Sequence, residues 1–176
     1  MPAWSWIVVA VAIVAALLVL ALAAIRASRT AKLRRQFGPE YDRTVGWADS
    51  RRAGEAELRA REERVRGIEV RPLTPEAREM YVDAWQAVQA RFVDDPDGAV
   101  TSADGLIRAV MHDRGYPVEE FDQRAADISV DHSEVVENYR EGHRLATAPR
   151  NGDDATEDRR LAMRHYRALF EELVVV

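Results

Sequence analysis

Hydrophobic and polar positions divide this chain into three stretches of different character. From Ala3 to Ile25 the sequence is apolar without a break, reading WSWIVVAVAIVAALLVLALAAI from Trp4 onward. A helix rises about 1.5 Å per residue, so about 20 apolar residues cross a hydrocarbon core about 30 Å thick. Residues 3–25 therefore predict one transmembrane helix. No polar residue longer than Ser5 interrupts it, which argues against a buried core helix. Trp4 and Trp6 lie at its start, where an indole suits the headgroup level.

The second stretch changes period and charge. Phe37-Gly38-Pro39 predicts a turn. Asp49–Arg66 is dense in charge and favours helix, with acid-then-base pairs four apart at Glu55/Arg59, Glu57/Arg61 and Glu62/Arg66. Leu58, Val65 and Ile68 give only a thin apolar seam. The pattern fits a solvated helical spacer over residues 37–72, and it leaves open a homodimer through a short coil at Leu58 and Val65.

From residue 73 to 176 the apolar residues recur at helical spacing. Thr74 with Pro75 predicts a helix start. Tyr81, Trp85, Val88 and Phe92 form one stripe, and Asp94–Gly98 ends it. A second helix carries Ala103, Leu106, Ile107, Val110 and Met111, and Gly115-Tyr116-Pro117 stops it. A short helix follows around Phe121, Ala125 and Ile128. Asp131 with Glu134 predicts a capping box for a fourth, bearing Val135, Val136, Tyr139 and Ala146. A polar loop runs from Ala148 to Ala155, and Asp154 with Glu157 predicts the cap of a last helix bearing Leu161, Ala162, Tyr166, Leu169, Phe170 and Leu173. The expected fold is all-α: a transmembrane helix at 3–25, a basic juxtamembrane segment at 26–36, a charged helical spacer, and a bundle of about five helices.

Charge sets orientation and partners. Arg26, Arg29, Lys32, Arg34 and Arg35 follow the apolar run directly, and no basic residue precedes it. The positive-inside rule then places the short N-terminus outside and the bundle in the cytoplasm, with these five residues near lipid headgroups. The rival reading, a signal peptide cut near Ala21-Leu22-Ala23, lacks a basic leader and has too long an apolar core. Setting the five bases aside leaves 20 basic residues against 30 acidic ones, a net charge of about −10. That balance excludes general nucleic-acid binding. The chain has no cysteine, which removes disulfides, thiolate zinc sites and thiol nucleophiles.

Catalytic patterns are thin. Asp95, Asp97 and Gly98 match three positions of a calcium loop, but its first position falls on Val93 and its last on Asp104 rather than Glu. His112, His132, His143 and His165 sit in no metal-ligand spacing, although His143 and His165 fall near facing helix surfaces. Asp131-His132-Ser133 holds the residue types of a hydrolytic triad, but adjacent residues cannot form its relay. No cofactor and no metal is expected.

Three segments are distinctive: Arg91-Phe-Val-Asp-Asp-Pro96, Arg114-Gly-Tyr-Pro117, and Arg124 to Arg140 (RAADISVDHSEVVENYR). With the anchor-then-spacer layout, they make the chain resemble an uncharacterised family of bacterial single-pass membrane proteins. The resemblance implies the architecture already described and brings no activity with it. Within these segments Arg114, Tyr116, Asp131, His132, Asn138 and Arg140 are a candidate partner face, with braces at helix junctions as the alternative. The expected function is a membrane-anchored, non-enzymatic interaction module that binds another protein. The alternative is a membrane-anchored enzyme or small-ligand sensor, with His143, His165 and Tyr139 as first suspects.

Overall fold

A computed structural model describes residues 3–118, 120–149 and 154–175. Helix α1 (Ala3–Phe37) carries the apolar run and continues through the basic segment without a break. By length and composition it is long and apolar enough to cross a membrane, and its apolar part is exposed along its described length, with no protein cover. The first of its side chains to be buried are Leu33 and Phe37.

Gly38 then takes a left-handed φ of 48°, which glycine adopts without a Cβ clash. Pro39 opens α2 (Pro39–Trp47), and the chain doubles back. Ser50 caps α3 (Arg51–Arg66), its side chain accepting from the Ala53 amide at 3.2 Å. Leu33, Phe37, Tyr41, Leu58 and Val65 close into one apolar cluster, completed by Val130 from the bundle.

The spacer is thus helical, as its composition predicts, but it is not a detached rod. Leu58 is 0% exposed and Val65 6%, so the thin seam is covered by α1, α2 and Val130 of the same chain. The expected ion pairs are partly reorganised. Arg61–Glu57 and Arg66–Glu62 form, whereas Arg59 donates to the Glu55 carbonyl and the Glu55 carboxylate takes Thr30, Tyr41 and Arg51 instead.

Among the described residues the bundle has five helices and no strand: α4 (Pro75–Arg91), α5 (Pro96–Asp113), α6 (Phe121–Ile128), α7 (Val136–Thr147) and α8 (Asp154–Val175). Helix α8 is central and packs on α7, α5 and α4. The predicted stripes meet in one core, in which Trp85 stacks on Phe170 with ring centroids 4.6 Å apart. Such a pair adds about 0.5–1.5 kcal/mol beyond its buried area. Thr74 and Asp95 cap α4 and α5 through the amides of Ala77 and Gly98.

The capping box at Asp131 does not form. Helix α7 starts at Val136, after Val135 and without a side-chain cap. The linking turn is closed by backbone bonds from Val130, His132 and Val135 to Asp127, Ile128 and His132. It must serve two cores at once, sending Val130 to the α1–α3 cluster and Val136 to the bundle. Asp131 is left to accept from the Tyr116 hydroxyl at 3.0 Å. The Asp154 side chain and residues 150–153 of the polar loop lie outside the described residues.

Candidate functional site

Two arrangements on the bundle are candidates for function: the junction that fixes it to α2 and α3, and the grooves on its surface. The junction centres on Glu40, which is 2% exposed. Arg140 of α7 donates to it through both terminal nitrogens, at 2.8 and 3.0 Å, and Arg61 of α3 donates at 2.8 Å. Burial lowers the Arg140 pKa from its ordinary value, and Glu40 acts in the opposite direction. Two further pairs fix α2 to α7 and α3 to α6. Arg43 meets Glu137 at 3.0 Å, and Arg64 meets the buried Asp127 at 3.0 Å. Gln123 also donates to Asp127, at 2.7 Å.

The six residues of the candidate partner face do not share one exposed surface. Arg114 is buried and donates to the Leu173 carbonyl at 3.0 Å. Tyr116 is buried against Asp131, and His132 is buried within 3.1 Å of Glu172. Asn138 contacts His165 at 2.9 Å, and Arg140 belongs to the junction. These side chains brace helix ends. Polar residues at helical junctions look alike in sequence whether they face inward or outward.

The basic cluster also divides. Arg26 and Arg29 are exposed. Lys32 pairs with Glu62 at 2.9 Å, Arg34 lies over the Tyr41 ring, and Arg35 donates to the Ala31 carbonyl. All three stay largely exposed, but α2 and α3 fold back beside α1 and give Lys32 and Arg34 partners within the chain, whereas the Arg35 bond lies within α1 itself.

Several grooves mark the bundle. One, about 440 Å³, is lined by Arg43, Phe121, Glu137, Arg140, His143 and Arg144, among others. A second, about 400 Å³, lies between α5, α7 and α8 and is lined by Asp97, Asp104, His143, Arg159 and Tyr166, among others. His143 borders both and stacks on Phe121 at 3.7 Å. Burial lowers its pKa, so its ring favours the neutral form. Beside it, the buried Tyr166 hydroxyl and Asp104 Oδ1 have no hydrogen-bond partner among the described residues. Burial, and then the nearby Asp104 charge, raises the Tyr166 pKa, so its hydroxyl stays protonated.

A third groove, about 190 Å³, has an apolar floor of Phe92 and Met163 and a rim of Gln89, Arg160, Arg164 and Arg167. Val82, Gln86, Gln89 and Val93 fall four, three and four residues apart on the α4 side. All four are exposed, Gln89 lining the groove and Val93, 83% exposed, lying in the turn after α4. The apolar spacing of α8 points only to its inner face. The signal for the groove was the spacing of Arg160, Arg164 and Arg167, which puts three guanidiniums along one outer edge. Glu40 gave no comparable signal, because its partners lie 21 and 100 residues away.

Among the described residues no group of three or more His, Asp or Glu side chains could hold a metal ion. Asp95 caps α5 and pairs with Arg91, and Asp97 pairs with Arg159 at 2.7 Å. Asp95 and Asp97 of the suggested calcium loop are thus already engaged. No family model, no curated protein and no solved structure matches this chain.

Proposed function

We propose that this protein is a single-pass, membrane-anchored interaction module, with its N-terminus outside, its bundle in the cytoplasm, and a protein partner docked on the α4–α8 groove. The groove carries the proposal. It combines an aromatic and a methionine floor with an arginine rim, the residue types that dominate binding energy at protein interfaces. Arg160 and Arg167 have acidic neighbours within α8, whereas Arg164 has no ion pair among the described residues. An acidic amphipathic helix complements both floor and rim. The partner gains effective concentration from the tether, without any further contact.

The test is a photo-crosslinking residue at Gln89 in the full-length chain in membranes. The expected result is a discrete adduct that disappears when Arg160→Glu and Arg164→Glu are added. The absence of an adduct, or one indifferent to the reversed charges, would remove this docking site.

A second reading, a small-ligand sensor or enzyme, is favoured by the unpartnered Tyr166 hydroxyl and Asp104 Oδ1 beside His143. A thermal-shift screen of small polar compounds against the full-length chain addresses it. A stabilising compound whose effect is lost in Tyr166→Phe supports this reading, and the absence of any Tyr166-dependent shift removes it.

A further inference from the structure

The most exposed large apolar side chain among the described residues is Trp47, at 87%. It ends α2 at the turn into α3, and the packing of the two helices on α1 fixes how far that turn lies from the apolar segment. Helix α3 runs in the same direction as α1: Glu55 accepts from Thr30 at 2.8 Å, and Leu58 and Val65 then join Leu33 and Phe37. Thr30 is five residues beyond Ile25, about 7.5 Å at 1.5 Å per residue. Arg51, four residues before Glu55, returns about 6 Å toward the apolar end. It therefore lies level with Arg26.

Helix α2 leads to the same place. It turns back at Gly38, with Tyr41 beside Arg34 (5.0 Å from ring centre to guanidinium) and Val45 against Gly54 of α3. Trp47, six residues beyond Tyr41, lies about 9 Å nearer the apolar end than Arg34, and so about 4–5 Å beyond Ile25. The polar interfacial layer on each side of a hydrocarbon core is about 5–7 Å thick. Trp47 falls inside it. Exposed Arg26, Arg29, Arg51 and Arg52 lie in the same band, and the Arg43 guanidinium is 6.0 Å from the Trp47 ring.

We propose that the α2–α3 turn is a second membrane contact, with the Trp47 indole at the headgroup level and Arg52 facing lipid phosphate, while Arg51 is held by Glu55. The inference rests on α1 crossing the bilayer. Two contacts on different helices restrain the tilt and rotation of the tether. Because the junction fixes the bundle to α2 and α3, they also orient the α4–α8 groove relative to the membrane.

The test uses the full-length chain in nanodiscs of mixed zwitterionic and anionic phospholipid, with or without bromine on the upper acyl chain. Trp4→Phe with Trp6→Phe leaves Trp47 and Trp85, and Trp85 is buried beside Phe170. Brominated lipid should quench this variant, and adding Trp47→Phe should abolish the quenching. Unquenched, water-like Trp47 emission would overturn the contact. Trp47→Phe alone keeps Trp4 and Trp6 as reporters of the span. Quenching there without quenching at Trp47 removes only the turn contact. No quenching in either variant removes the anchor and the contact together.

Discussion

Replacing Glu40 with alanine takes away the acceptor that holds α2, α3 and α7 together. Three charge-assisted hydrogen bonds disappear, at 2.8, 2.8 and 3.0 Å. Two guanidiniums are left facing each other, with side chains only 12% and 13% exposed, and only Arg61 keeps another carboxylate, Glu57 at 3.1 Å. Removing one partner from a buried ion pair costs about 3–5 kcal/mol. The arginines keep a little solvent, which favours the lower end, about 3 kcal/mol. At 1.4 kcal/mol per tenfold, that is a change of about two decades in the local opening constant. The assay is hydrogen exchange by mass spectrometry on the full-length chain in nanodiscs. Amides of α2, α3 and the first turn of α7 should exchange about 100-fold faster, while those at the centre of α5 stay unchanged. Glu40→Leu with Arg61→Met and Arg140→Met should restore most of the protection, because apolar replacement of a whole buried ionic group is often neutral. A change below about threefold in Glu40→Ala, or a triple variant as open as the single one, would refute the assignment of Glu40 as the clamp.

Three further outcomes follow from the same packing. Leu58→Ala should destabilise the chain by about 2–4 kcal/mol in denaturant melts at every protein concentration; a loss that depends on protein concentration would show that this side chain serves a second copy instead. Gly115 has φ 93°, and a Cβ there would stand 2.6 Å from the Glu69 carbonyl oxygen, so Gly115→Ala should cost about 2–3 kcal/mol; an unchanged melt would contradict that geometry. The His143 pKa is lower in the folded chain than its ordinary 6.5, so the unfolded state binds the proton first and stability falls as pH drops below about 6.5. His143→Gln should flatten that part of the pH–stability curve. The acidic limb below the ordinary carboxylate value should remain, because Glu55 and Glu62 have lowered pKa values: burial of Glu55 is outweighed by its hydrogen bonds, and Lys32 holds Glu62. A wild-type curve that is flat through the His143 range would refute the cause.

Local text carried most of the helical architecture. The apolar run, Thr74-Pro75, Asp95-Pro96 and the inner stripes of α4, α5 and α8 each encode their element within a few residues, and the structure has them there. Contacts across distance were not legible in the same way. Leu58 and Val65 read as a seam without a partner because the partners, Leu33, Phe37 and Val130, belong to other segments. Asp131 read as a cap because a capping box is defined by spacing, whereas its loss here follows from a turn that must reach two cores. The candidate partner face dissolved for a related reason: burial of Arg114, Tyr116 and His132 depends on where α8 lies. The arginine edge of α8 was written in its spacing but was masked by the strong apolar face opposite.

The most direct measurement is topology by labelling a single cysteine. The native chain has none, and Val93 is 83% exposed in the turn after α4, so Val93→Cys gives one reporter beside the proposed groove. The chain should stay with the membrane fraction through alkaline extraction. The introduced thiol should resist a membrane-impermeant maleimide in intact cells and react fully after lysis. Extraction into the soluble fraction would contradict the anchor, and labelling in intact cells would contradict a cytoplasmic bundle.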